Sequence, residues 1–183
     1  MRLWLLWFGL AIPFMYLTIG FLRGDIFYGE MLHATGEFSA RLLLITLAAT
    51  PSRLIFPNAR WPRWLQSNRR YLGVATFCYA LLHTVVYLDK QEGLATIAED
   101  SLLFEMWTGW IALLLFLLLA LTSNDSSVRW LKRRWKKLHR LVHIAAVLTF
   151  VHWIFIAFNF VPGIIHFLIL LMLEGTRLIK RKR

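Results

Sequence analysis

Apolar residues in this chain gather into six long runs separated by short polar stretches. The runs cover Leu3 to Leu22, Leu32 to Thr50, Tyr71 to Leu88, Phe104 to Thr122, Leu138 to Phe158 and Val161 to Ile179. Each is close to the roughly 20 residues a helix needs to cross a bilayer core. The pattern therefore predicts an all-α integral membrane bundle of six transmembrane helices, organised as one domain over 1–183. The first run is longer than the apolar core of a signal peptide and lacks a small-residue cleavage site, so it is read as a span. The second is the most polar. Glu37 and Arg41 lie four apart on one helical face and must pair, face a cavity or approach an interface. Pro51, Pro57 and Pro62 are expected to stop that helix and stiffen the loop after it, and Pro162-Gly163 to make a tight last turn.

Composition agrees with the runs. Of 183 residues, 58% are hydrophobic and 17% charged, with a mean hydropathy of +0.58, too apolar for a soluble core of this size. The net charge of +11 does not point to nucleic acid, because the cations sit in blocks between spans. Arg53, Arg60, Arg63, Arg69 and Arg70 follow the second span. Arg129, Lys132, Arg133, Arg134, Lys136, Lys137 and Arg140 follow the fourth, and Arg177, Lys180, Arg181, Lys182 and Arg183 close the chain. Asp25, Glu30, Asp89, Glu92, Glu99, Asp100 and Glu105 fall in the alternate connections. By the positive-inside rule both termini and the basic loops are expected in the cytoplasm. Trp4, Trp7, Tyr71, Tyr87, Trp107, Trp110, Trp135 and Trp153 lie near run ends, as interfacial belts do. Cys78 is the single cysteine, so no internal disulfide and no CxxCH haem attachment exist within this sequence.

Histidines within the runs carry the candidate chemistry, since an ionisable group in hydrocarbon needs a partner. His83 follows Arg70 by thirteen residues and His152 follows Lys137 by fifteen, which places both about 20 Å above the basic rim on spans of the same direction. They are candidate axial ligands of one non-covalently held haem, six-coordinate and suited to electron transfer. His139 lies thirteen residues before His152, at the inner rim. A continuous helix would rotate it about 140° from the His152 face, and its counterpart in the third span is Arg70 rather than a histidine. His143, one turn deeper, is the weaker candidate for the same inner role. Arg69, Arg70 and Arg140 suit haem propionates, a quinone or a flavin phosphate. His33 and His166, at the outer ends of their spans where water can solvate them, are read as structural or interfacial. The sequence has no phosphate-cradling glycine loop, HExxH or nucleophile elbow, so electrons must arrive from another molecule.

In order along the chain, Thr35-Gly36, LAATPSRL at Leu47 to Leu54, NRRYLGVATFCYALLHTVVY at Asn68 to Tyr87, Thr108-Gly109-Trp110, LALTSND at Leu119 to Asp125 and WKKLHRLVHIAAVLTFVHW at Trp135 to Trp153 resemble the MsrQ (YedZ) family. That family is a small branch of the ferric-reductase-like transmembrane proteins. The resemblance implies a six-helix subunit of the bacterial inner membrane that carries b-type haem and flavin mononucleotide (FMN). It also implies electron delivery from a cytosolic flavin reductase or the quinone pool to MsrP, a periplasmic molybdopterin enzyme that reduces methionine sulfoxide in proteins. The family's haem histidines fall on His83, His139 and His152, and its basic pair on Arg69 and Arg70. The expected role is electron transfer, with no methionine sulfoxide site in this chain and with one or two haems. Competing readings are a ferric or cupric reductase subunit, a histidine-lined proton or metal transporter, and an assembly subunit whose histidines only pack.

Overall fold

A computed structural model describes residues 3–182; Arg183, the last of the terminal cations, lies outside them. Among the described residues the ordered elements are α1 (Leu3–Arg23), α2 (Tyr28–Ile55), α3 (Arg60–Asp89), α4 (Leu94–Asp100), α5 (Phe104–Leu121), α6 (Asp125–Leu131), α7 (Arg133–Leu138), α8 (Leu141–Ile156) and α9 (Val161–Lys182). Six stretches are long and apolar enough to cross a membrane, with α7 and α8 together forming the fifth. The protein is an all-helical, multi-pass membrane protein.

Several boundaries differ from the sequence pattern. Pro51 does not end the second helix: α2 continues to Ile55 with Pro51 buried inside it. Membrane helices tolerate such a proline where neighbouring groups take over the lost backbone contacts. Pro62 lies in the first turn of α3, where its missing N–H would have no intrahelical partner anyway. Consequently α3 begins at Arg60, and Arg60, Arg63, Arg69 and Arg70 stand on a helix rather than in a loop. The guanidinium of Arg53 donates to the carbonyl of Pro57 and closes this short turn. At the other basic connection, Asn124 caps α6 by accepting from the Ser127 amide at 2.8 Å. Lys132, at φ 48°, then turns the chain into α7. The expected continuous fifth helix is interrupted at His139 and Arg140 and ends at Ile156.

Small side chains bring the helices close, as in other membrane bundles. Ala145, Ala146 and Phe150 of α8 are fully buried against Ala40, Leu43 and Leu47 of α2 and Ala112 and Phe116 of α5. Ser39 on α2 donates to the Thr76 carbonyl on α3 at 3.0 Å, and Tyr79 on α3 donates to the Leu10 carbonyl on α1 at 2.9 Å. Large apolar groups remain exposed around the perimeter, among them Phe8, Leu114 and Met172, where hydrocarbon would cover them.

Candidate functional site: two facing histidines and a basic inner cavity

The pairs α2 with α3 and α5 with α8 are the most extensively packed in the bundle, and each presents one histidine to a shared cavity. His83 Nδ1 lies 2.9 Å from the Leu32 carbonyl oxygen on α2. His152 Nδ1 lies 2.6 Å from the Glu105 carbonyl oxygen on α5. A carbonyl only accepts, so the proton of each neutral imidazole belongs on Nδ1 and the lone pair on Nε2. Histidine ligands of metals are commonly oriented by such a bond. The rings face one another with centroids 6.3 Å apart and planes at 87°. Two imidazoles binding one metal from opposite sides, with bonds of about 2 Å, would have centroids roughly 6 Å apart.

The cavity between them has a volume of about 550 Å³, within the range of small-molecule and cofactor pockets. Ala80, Ala112, Leu113, Phe116 and Trp153 supply much of its apolar wall. Among the described residues no three His, Cys, Asp or Glu side chains converge on a common metal position. Two opposed imidazoles suit a metal that brings its equatorial ligands with it, as haem iron does. Trp110 also lines the cavity, and its buried indole N–H has no acceptor among the described residues. An occupant carrying an acceptor would meet that need. These features fit haem.

His33, read from sequence as structural or interfacial, is exposed and lines the first cavity together with Glu37. Glu37 pairs with Arg41 at 2.5 Å, so the two polar groups of the second span are partnered and one also faces the cavity. Trp110 and Trp153 line the cavity. Trp135 stacks on His139, with centroids 3.9 Å apart, and donates to the Thr122 carbonyl at 2.8 Å. A helical-period pattern marks these aromatics as apolar, but it does not say which face meets a cavity. His166 bonds the Pro162 carbonyl at 2.7 Å and packs against Trp153, consistent with a structural role.

A second cavity of about 770 Å³ lies toward the basic end. It brings His139 together with Arg69, Arg70 and Arg140, and also with His143, Gln66 and Arg177. His139 Nε2 lies 3.1 Å from Thr122 Oγ1. His139 and Arg140 keep right-handed helical dihedrals in a tightened turn between α7 and α8, and His139 lines this second cavity rather than the one lined by His152. His143 points into a different network: Nδ1 is 2.8 Å from Glu174, and Arg177 donates to Nε2 at 2.6 Å. Both of its ring nitrogens are engaged. Arg70 is also partnered, by Asp125 on α6 at 2.7 Å.

This geometry defines a multi-pass membrane protein with a largely apolar cavity between two histidine-bearing helix pairs. The family model "Ferric reductase like transmembrane component" matches residues 35–150, and the chain belongs to that family. The matched region contains Gly36, His83, Gly109 and His139 and ends two residues before His152. Among curated proteins, the "Protein-methionine-sulfoxide reductase heme-binding subunit MsrQ" of Rhizobium meliloti is 37% identical over 127 residues, which are 68% of this chain and 56% of that protein. The proteins of the same name from Brucella anthropi and Brucella melitensis biotype 2 are 38% and 40% identical over 125 residues, 67% of this chain and 54% of each relative. The chain thus spans little more than half the length of these relatives. Their names support the MsrQ resemblance read from the motifs. No solved structure matches the chain.

Proposed function

We propose that the chain is the haem-carrying electron-transfer subunit of a methionine sulfoxide reductase system in a bacterial inner membrane, with its basic end and both termini toward the cytoplasm. One observation carries the reading: His83 and His152 face each other at 6.3 Å with both Nδ1 atoms tied to backbone carbonyls, leaving both Nε2 atoms for a metal. A b-type haem bound there supplies a one-electron couple. His83 and His152 would hold it as axial ligands, and the packed apolar wall would limit water, which favours electron passage over ligand exchange. Electrons would leave at the acidic end for the sulfoxide reductase subunit, MsrP.

The inner cavity is the proposed entry point for electrons from a cytosolic flavin reductase or the quinone pool. Arg69, Arg70 and Arg140 would bind anionic or carbonyl oxygens of FMN, a quinone or a second haem's propionates. His139 is the inner ligand in the two-haem case. Haem and flavin per polypeptide distinguish these occupants.

The decisive measurement is the visible spectrum of the purified full chain beside His83→Ala and His152→Ala. Low-spin b-haem bands in the parent that disappear in both variants are expected. A colourless parent would overturn the reading and favour the histidine-lined transporter. The matching family's description supports one further reading, a ferric or cupric reductase. Reduced protein that passes electrons to ferric chelates but not to MsrP would establish that alternative.

A further inference from the structure

Two glycines lie directly against the facing imidazoles. A Cβ placed on Gly109 would come within 2.8 Å of both Nδ1 and Cε1 of His152, and one on Gly36 within 3.0 and 3.1 Å of Nδ1 and Cε1 of His83. Carbon contacts are normally near 3.5–4.0 Å, so neither position accommodates a methyl group without movement of the ring. Each ring rests on bare helix backbone. That close approach brings Nδ1 to the carbonyl four residues before the glycine, Leu32 for Gly36 and Glu105 for Gly109.

The arrangement occurs twice with the same spacing. A buried threonine precedes each glycine, and its hydroxyl donates to the carbonyl that the histidine uses: Thr35 to Leu32 at 3.1 Å, and Thr108 to Glu105 at 2.8 Å. Thr35 also donates to the Met31 carbonyl at 2.8 Å. Thus α2 seats the ligand carried by α3, and α5 seats the ligand carried by α8. An imidazole held on one side by a helix surface and at Nδ1 by a carbonyl has little freedom to rotate about its Nε2–metal direction.

We infer that Gly36 and Gly109 are positioning residues that fix the rotation of the two imidazoles and hold their planes near perpendicular. The inference rests on the haem reading above and adds a property that haem binding alone does not require. Perpendicular axial rings each interact with a different iron d orbital of π symmetry, leaving the two nearly equal in energy. Oxidised low-spin haem then gives a highly anisotropic electron paramagnetic resonance signal dominated by one low-field feature. Parallel rings separate the orbitals and produce a rhombic signal with three resolved features.

The test is the resonance spectrum of the oxidised, haem-loaded full chain in detergent, alongside Gly109→Ala, Gly36→Ala and Gly9→Ala. Gly9 has no neighbour within 4 Å of an added Cβ and controls for alanine in a span. The parent should give the anisotropic signal and Gly9→Ala should preserve it. Gly109→Ala should move the signal toward the rhombic form or convert part of the haem to high spin, and Gly36→Ala should do so less. A rhombic parent signal, or parent-like signals in both ligand-seat variants, would overturn the inference while leaving the haem reading intact. A parent without haem would overturn the reading itself. Should Gly109→Ala fail to accumulate, the parent spectrum still decides the ring geometry and Gly36→Ala the glycine's part in it.

Discussion

Glu37 and Arg41 form a 2.5 Å ion pair one turn apart on α2, within a span. The Arg41 side chain is 52% exposed and that of Glu37 21%, so the carboxylate faces inward while much of the arginine meets the surroundings of the bundle. An arginine at the centre of a membrane helix costs roughly 2.5–3.5 kcal/mol on insertion scales. Removing only its partner should therefore be worse than removing both charges. Glu37→Leu is expected to destabilise the detergent-solubilised protein by about 1–3 kcal/mol, and adding Arg41→Leu should recover most of that loss. Thermal unfolding of the two single variants and the double variant measures the coupling. Purely additive losses would refute an obligatory pair.

Much of the fold follows from lengths of apolar sequence, because a bilayer leaves a hydrophobic run of this size few alternatives to a helix. The helix ends were less legible. Pro51 is a breaker by local chemistry, yet tertiary packing carries α2 past it, whereas Lys132 looks like an ordinary surface cation and turns the chain at positive φ. The meeting of His83 and His152 could be sought by comparing their depths in parallel spans. The role of Gly36 and Gly109 could not, because a glycine's contact with a side chain from another helix leaves no periodic signal. His33 is exposed, as its place near a span end leads one to expect, and its position on the rim of the cavity is what the sequence did not reveal.

His143, Glu174 and Arg177 form a network between α8 and α9, with all three side chains less than a third exposed. This arrangement predicts a structural role for His143. His143→Phe should lower stability by about 1–3 kcal/mol through loss of two hydrogen bonds to charged groups, while haem content and the low-spin spectrum stay at parental values. Thermal unfolding and haem per polypeptide on the same preparation test both halves. Loss of haem at unchanged stability would instead identify His143 as a ligand.

Arg70 and Asp125 predict a pH-dependent contact between α3 and α6. The hydrogen bond and charge of Arg70 hold the Asp125 carboxyl below its ordinary range. A depressed folded-state pKa favours the folded protein above the unfolded aspartate value near 4. The contribution disappears as pH falls through the lower folded value. Asp125 is fully solvated, so the effect is small and salt-sensitive. Asp125→Asn should lower the melting temperature slightly at neutral pH and low salt, with the difference vanishing in strong acid or 1 M salt. An unchanged difference across these conditions would rule out the charge contribution.

The basic cavity gives Arg69 and Arg70 different expected weights. Arg70 already has Asp125 as a partner, whereas Arg69 is exposed and lines the same cavity as His139. If this cavity binds the anionic group of the electron-donating partner or cofactor, Arg69 should contribute more than Arg70 to its affinity. Loss of one charge-assisted hydrogen bond is worth about 1.5–3 kcal/mol, or roughly a tenfold or greater weakening. Arg69→Gln should raise the donor concentration needed for half-maximal haem reduction by about that factor, whereas Arg70→Gln should have a smaller effect. Dithionite, a small reductant that needs no docking site, should reduce all three proteins to the same extent. The comparison is made by following the reduced haem band during titration with reduced FMN and separately with a quinol. Equal sensitivity to both substitutions would assign the arginines a general electrostatic role, and parental titrations in both variants would place electron entry elsewhere.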